Sequence, residues 1–79
     1  MKYEFGVMSS RFELESNDEI LAKVAMSLFF KQNIPIAIYK PVRKAIMPKE
    51  VLEQNLVYSQ NNNEELIKVV DSIKEIELK

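Results

Sequence analysis

The segment from residue 20 to residue 31 constrains the fold of this chain more than any other part of the sequence. On a helical wheel, Lys23, Ser27 and Lys31 form one narrow polar stripe, and every other residue before Gln32 is apolar. A surface helix needs an apolar face only somewhat wider than about 100°. This helix must therefore be covered on nearly three sides, by other elements of the chain or by a second subunit.

The residues around this segment predict where the helix begins and ends. Ser16 can cap the first turn, and Glu19, three residues later, can reach back to the cap. The helix is expected to run to about Gln32 and to stop at Asn33, because Pro35 disfavours helical geometry at the residue before it.

The first sixteen residues alternate between apolar and polar side chains, as in a β-hairpin. The apolar residues occupy odd positions up to Val7 and even positions from Phe12 onwards. A two-residue turn at Ser9–Ser10 explains the change, because it places Val7 opposite Phe12 on one face. A single strand with a bulge is the alternative.

A further strand is predicted over residues 34–40, where isoleucine occupies alternate positions. Pro35 puts this strand at a sheet edge, or else stands before the pairing begins. The succession strand, helix, strand predicts a right-handed crossover, with residues 34–40 parallel to residues 11–15. Residues 2–8 would then lie between these two strands.

The second half of the chain is predicted to be mainly helical. Pro48 suits the first turn of a short helix over residues 49–54, and residues 56–59 are either a further strand or a continuation of that helix. Asn62 and Glu65 have capping-box spacing and start the last helix. The apolar face of the last helix consists of Leu66, Val69, Val70, Ile73 and Ile76.

These elements predict a single α+β domain over residues 1–79. Its centre is a small, mostly antiparallel sheet, formed by the N-terminal hairpin and strand 34–40. The helices pack on one face of the sheet, in the order ββαβ(α/β)α.

The expected fold is close to the lower size for unaided folding, and the chain has no Cys or His with which to form a disulfide or a Cys/His metal site. Self-association is the remaining means of stabilisation. We therefore expect a homo-oligomer, most simply a dimer. Its predicted interface lies on the first helix at Ala22, Met26 and Phe30, which the hairpin leaves uncovered.

The composition also excludes several classes of function. Without Cys or His there is no thiol nucleophile, no Ser-His triad and no zinc, iron-sulfur or haem ligation. A single glycine excludes a dinucleotide-binding loop and a P-loop. A net charge of −1 argues against a dedicated nucleic-acid binder. We expect a cytoplasmic, non-enzymatic protein with no cofactor, no metal, no signal peptide and no membrane span.

The small net charge conceals an uneven distribution. Residues 20–49 contain six basic residues and no acidic ones, whereas both flanking segments are acidic. Within this block, four residues follow a predicted strand and suit a phosphate, a nucleotide or an acidic protein surface: Tyr39, Lys40, Arg43 and Lys44. The alternative is internal pairing, in which Lys40 and Arg43 face Glu15, Asp18 or Glu19.

Two hypotheses about function follow from these patterns. The first is an interaction protein that forms homo-oligomers and binds a partner protein. The second is a small-ligand binder that sequesters a nucleotide or another phosphate metabolite at a subunit interface. The Lys-, Asn-, Ile- and Glu-rich composition is typical of AT-rich bacterial genomes and their phages. If this chain is phage-encoded, either activity would serve to antagonise a host system.

Overall fold

A computed structural model of the chain describes residues 1–31 and 33–76. These residues form one antiparallel sheet with the strand order β4-β3-β1-β2-β5, together with three helices. The predicted α+β class is confirmed. The elements are β1 (Lys2–Val7), β2 (Ser10–Glu15), α1 (Glu19–Phe30), β3 (Ile36–Lys40), β4 (Lys44–Ile46), α2 (Pro48–Asn61), α3 (Asn63–Asp71) and β5 (Lys74–Glu75).

The N-terminal hairpin forms, but its predicted register is wrong. The turn lies at residues 8–9 rather than 9–10, and Phe5 rather than Val7 lies opposite Phe12. The two registers differ by two residues along the paired strand. A shift of two residues keeps every side chain on the same face, so apolar alternation cannot distinguish between them.

The central part of the sheet has the predicted arrangement. β1 pairs antiparallel with both β2 and β3. β2 and β3 therefore run in the same direction with β1 between them, and α1 connects them. Pro35 precedes β3, so the proline stands before the pairing begins.

Asp18, and not Ser16, caps α1. One carboxylate oxygen of Asp18 accepts hydrogen bonds from the backbone N–H groups of Ile20 (2.8 Å) and Leu21 (3.3 Å). The Ser16 hydroxyl instead accepts from the Asp18 N–H (3.0 Å) and donates to the Asp18 carbonyl (2.9 Å), which fixes the turn before the helix. α1 ends at Phe30. Gln32, the predicted end, lies outside the described residues.

α1 is covered more completely than its sequence predicts. It packs on the sheet and contacts both α2 and α3, and Ala22 and Met26 are fully buried within the chain. Even the polar stripe is partly covered, since Lys23 is half-buried and Ser27 is buried beside the first turns of α2. The Ser27 hydroxyl donates to the Lys23 carbonyl (2.9 Å), which satisfies the buried hydroxyl group.

Residues 56–59, for which the sequence allows either a strand or a helix, continue α2. The capping box predicted for the last helix does not form, because the Asn62 side-chain amide donates to the Tyr58 carbonyl (2.8 Å). None of the three helices has both the length and the apolarity needed to cross a bilayer, within the part of the chain that the structure describes.

Candidate functional site

The four residues of the predicted basic site do not converge on one surface. Tyr39 lies on the sheet face away from the helices, where the Arg11 guanidinium sits 3.8 Å from the centroid of its ring. Lys44 is the register partner of inward-facing Ile38, so its side chain points to the helix side. There the Lys44 ammonium lies 2.6 Å from Glu19. The sheet therefore separates the aromatic ring from this cation.

The remaining two residues of that set differ in their pairing. The Lys40 ammonium lies 3.3 Å from a carboxylate oxygen of Glu4. Arg43 is exposed, and the described residues include no carboxylate partner for it. Lys40 therefore pairs with Glu4 and with none of the three acids expected for it, while Glu19 pairs with Lys44. The geometry does not favour a phosphate site built from all four residues.

The Lys44–Glu19 pair perturbs both groups. The hydrogen bond from Lys44 lowers the pKa of Glu19, and nearby Lys23 (3.4 Å) lowers it further. The same hydrogen bond raises the pKa of Lys44. Because both side chains are largely exposed, the pair contributes little to folding. It joins the first residue of β4 to the first residue of α1.

A cleft with a volume of about 410 Å³ lies between the start of α1 and helix α3. Its acidic residues already have partners. Glu15 lies 2.8 Å from the N-terminal ammonium group, Glu65 lies 3.6 Å from Lys68, and Asp18 caps α1. Among the described residues, no group of three or more potential metal-ligating side chains is present. The carboxylates of this cleft therefore serve contacts within the chain.

Asp18 also joins α1 to α2, because its second carboxylate oxygen accepts a hydrogen bond from the Tyr58 hydroxyl. This bond lowers the pKa of Asp18 and raises the pKa of Tyr58. The ionised form of Asp18 is thus favoured in the folded chain. Its stabilising effect is present above the ordinary pKa of 3.8 and is lost as the pH falls through the lower folded-state pKa.

Tyr58→Phe should raise the pKa of Asp18 towards 3.8, because it removes the main cause of the depression. The pKa can be measured by following the Asp18 carboxyl carbon in an NMR pH titration. Tyr39→Phe is the matched control and should leave Asp18 unchanged, since Tyr39 stacks with Arg11 elsewhere. An unchanged Asp18 titration in Tyr58→Phe would contradict the hydrogen bond.

Three phenylalanines pack together at the surface and form the aromatic patch (Phe12, Phe29 and Phe30). Their ring centroids are 5.0 Å apart for Phe12–Phe29, 5.3 Å for Phe12–Phe30 and 5.4 Å for Phe29–Phe30, all with edge-to-face geometry. Phe12 and Phe30 are half-buried and also contact buried Phe5. Phe29 is 41% exposed and forms the outer ring of the group. Large aromatic rings in this position are typical of protein interfaces.

Met8 lies at the same end of the molecule as the aromatic patch, in the hairpin turn three residues after Phe5. Its side chain is 90% exposed and its backbone has φ 56°, in the left-handed region. Glycine or asparagine adopts this conformation at lower cost than a residue such as methionine. The chain thus presents a flexible apolar side chain at a strained position.

The three predicted interface residues differ in their exposure to solvent. Ala22 and Met26 are covered by the chain itself and have no exposed surface. Phe30 belongs to the aromatic patch. Phe12 and Phe29 were not predicted as contact residues from the sequence, although the consecutive aromatic residues at the end of α1 were a visible signal. Comparisons of the chain with protein-family models, with curated proteins and with solved structures find no match.

Proposed function

We propose that this protein is a non-enzymatic interaction protein, and that its contact surface consists of the aromatic patch and Met8. The observation that carries the proposal is the exposure of Phe29 on top of two further, half-buried phenylalanine rings. Rigid aromatic side chains bury a large apolar area at low entropic cost, so they dominate the energy of many interfaces.

A second copy of the chain is the proposed occupant of this surface. A domain of 79 residues has a limited core, and this one has no cysteine with which to form a disulfide. Association through a two-fold axis would bring the same patch of each copy together and cover both Phe29 rings at once. Binding of a further partner protein, as predicted from the sequence, would then use the dimer.

The two-residue hairpin turn accounts for the positive φ of Met8 but not for a methionine at this position, and the exposed side chain supports a role in contact. A non-glycine residue in the left-handed region costs about 1–2 kcal/mol. Such strain persists where a side chain serves binding, since folding alone favours its removal. The exposed methionine is also adaptable in shape and suits an apolar contact.

Phe29→Ser should weaken self-association at least about tenfold, which corresponds to about 1.4 kcal/mol. The fold should persist, because the Phe29 side chain is 41% exposed. Sedimentation equilibrium and native mass spectrometry measure the subunit mass as a function of concentration. Ile67→Ser is the matched control, since Ile67 is 51% exposed on α3 and lies outside the patch. A wild-type chain that stays monomeric at high micromolar concentration would overturn the dimer, as would a dimer unaffected by Phe29→Ser.

Met8→Asn should change the stability of the monomer and its self-association in opposite directions. The free energy of unfolding of the monomer is expected to rise by about 1 kcal/mol, because asparagine tolerates the left-handed conformation. Self-association should weaken, because an apolar contact is lost. Urea unfolding at a concentration where the wild type is monomeric measures the first quantity, and sedimentation measures the second. Unchanged association in this variant would exclude Met8 from the contact surface.

A further inference from the structure

A cleft between the end of α1 and the start of α2 differs in charge from four other clefts in the described part of the chain. It has a volume of about 310 Å³, and its lining residues are Ser27, Lys31, Asn33, Pro48, Lys49 and Leu52. Two of these are basic and none is acidic. The other four clefts all include at least one aspartate or glutamate.

The two lysines of this cleft also differ from their neighbours in the basic segment. Lys23, Lys40 and Lys44 each lie within 3.4 Å of a glutamate oxygen. Lys31 and Lys49 are exposed, and the described residues provide neither of them with a carboxylate partner. Lys31 and Lys49 therefore bring part of the segment's unpaired positive charge to this one cleft.

The remaining lining residues determine which anion would fit. The Asn33 side chain provides a neutral hydrogen-bonding amide, and Pro48 and Leu52 provide an apolar surface. Two ammonium groups suit a doubly charged anion better than a single carboxylate, because the doubly charged anion balances both positive charges and the carboxylate balances only one. The first two residues of α2 belong to the lining, so the positive end of the helix dipole adds to the attraction.

We infer that this cleft, the Lys31–Lys49 cleft, binds a small phosphate monoester that has an apolar body. The phosphate group lies between the two ammonium groups, and the apolar body lies against Pro48 and Leu52. This site is distinct from the aromatic patch. On the α1 wheel Ser27, which lines the cleft, and Phe29 project about 160° apart.

The test uses phenyl phosphate and inorganic phosphate as probes, added to the full chain in an NMR titration of the backbone amides. Saturable shifts are expected at residues 27–33 and 48–52. Phenyl phosphate should bind several-fold more tightly than inorganic phosphate, because only the ester has an apolar body to bury. Equal affinities would overturn the proposed role of Pro48 and Leu52. Shifts at exposed lysines all over the chain without saturation would overturn the site.

A charge-matched pair of variants tests the two lysines directly. The Lys31→Gln, Lys49→Gln double variant should bind phenyl phosphate at least about tenfold more weakly, because two charge-assisted hydrogen bonds are lost. The control double variant Lys68→Gln, Lys74→Gln has the same change in net charge, and its substituted side chains lie outside the cleft. Equal weakening in both would show that the effect is one of net charge and would refute the site. Amide spectra of both variants report whether the fold is retained.

Discussion

Phe5→Ala should lower the free energy of unfolding by about 3–5 kcal/mol, the range for removing a buried phenylalanine side chain. Phe5 is fully buried in β1, the middle strand of the sheet. Its ring contacts Phe12 at 5.9 Å and Phe30 at 5.7 Å between centroids. Neither neighbour can fill the space without leaving the position from which it supports Phe29. Urea unfolding followed by circular dichroism measures the loss.

The matched comparison is Phe29→Ala, which removes the same side chain from the surface of the same group of rings. Because Phe29 is 41% exposed, its loss should cost clearly less stability than that of Phe5. If Phe5→Ala does not fold, Phe5→Leu, which keeps most of the volume, should remain folded and lose less than about 1.5 kcal/mol. Similar unfolding midpoints for Phe5→Ala and Phe29→Ala would contradict the packing described above.

Gly6→Ala should lower the free energy of unfolding by about 1–3 kcal/mol, the range for overpacking in a filled site. A Cβ atom at Gly6 would lie 2.4 Å from the backbone oxygen of Ser10 and 3.3 Å from Cε2 of Tyr39. The first contact is with main chain, so the hairpin itself must shift to relieve it. The limit at Gly6 is space rather than backbone conformation, since its φ is not positive.

Ala45→Val is the control for this prediction. Ala45 lies on edge strand β4 and is exposed, so an added branched side chain meets no comparable obstacle. Its stability should change by no more than about 0.5 kcal/mol, as for most surface substitutions. If Gly6→Ala unfolds at the same urea concentration as Ala45→Val, the close approach of the hairpin strands at Gly6 is wrong.

The long elements of the fold were predictable because each has a strong local periodicity. The alternation around Phe5 and the apolar circumference of α1 indicated a hairpin and a buried helix before any contact was known. β4 and β5 were not predicted. They contain three and two residues, too few for a periodic signal, and they form because β3 and β2 offer unpaired edges.

The candidate site was harder to predict than the fold. Lys40 and Lys44 were grouped with Tyr39 because they are close in sequence. In the structure, strand alternation and ion pairing direct Lys40 to Glu4 and Lys44 to Glu19. Lys31 and Lys49 are far apart in sequence and share a cleft only because α2 packs beside the end of α1. Proximity along the chain is thus a poor guide to a site that is built between elements.

The order of residues alone specifies the N-terminal hairpin, α1 and β3, the parallel direction of β2 and β3, and the absence of cysteine and histidine chemistry. These properties depend on side-chain type and on short-range periodicity. Packing in three dimensions selects the hairpin register, the cover over α1, and which cations keep a carboxylate partner. Each of these depends on contacts between residues far apart in the chain, where several arrangements satisfy the local pattern equally well and the filling of one shared core chooses among them.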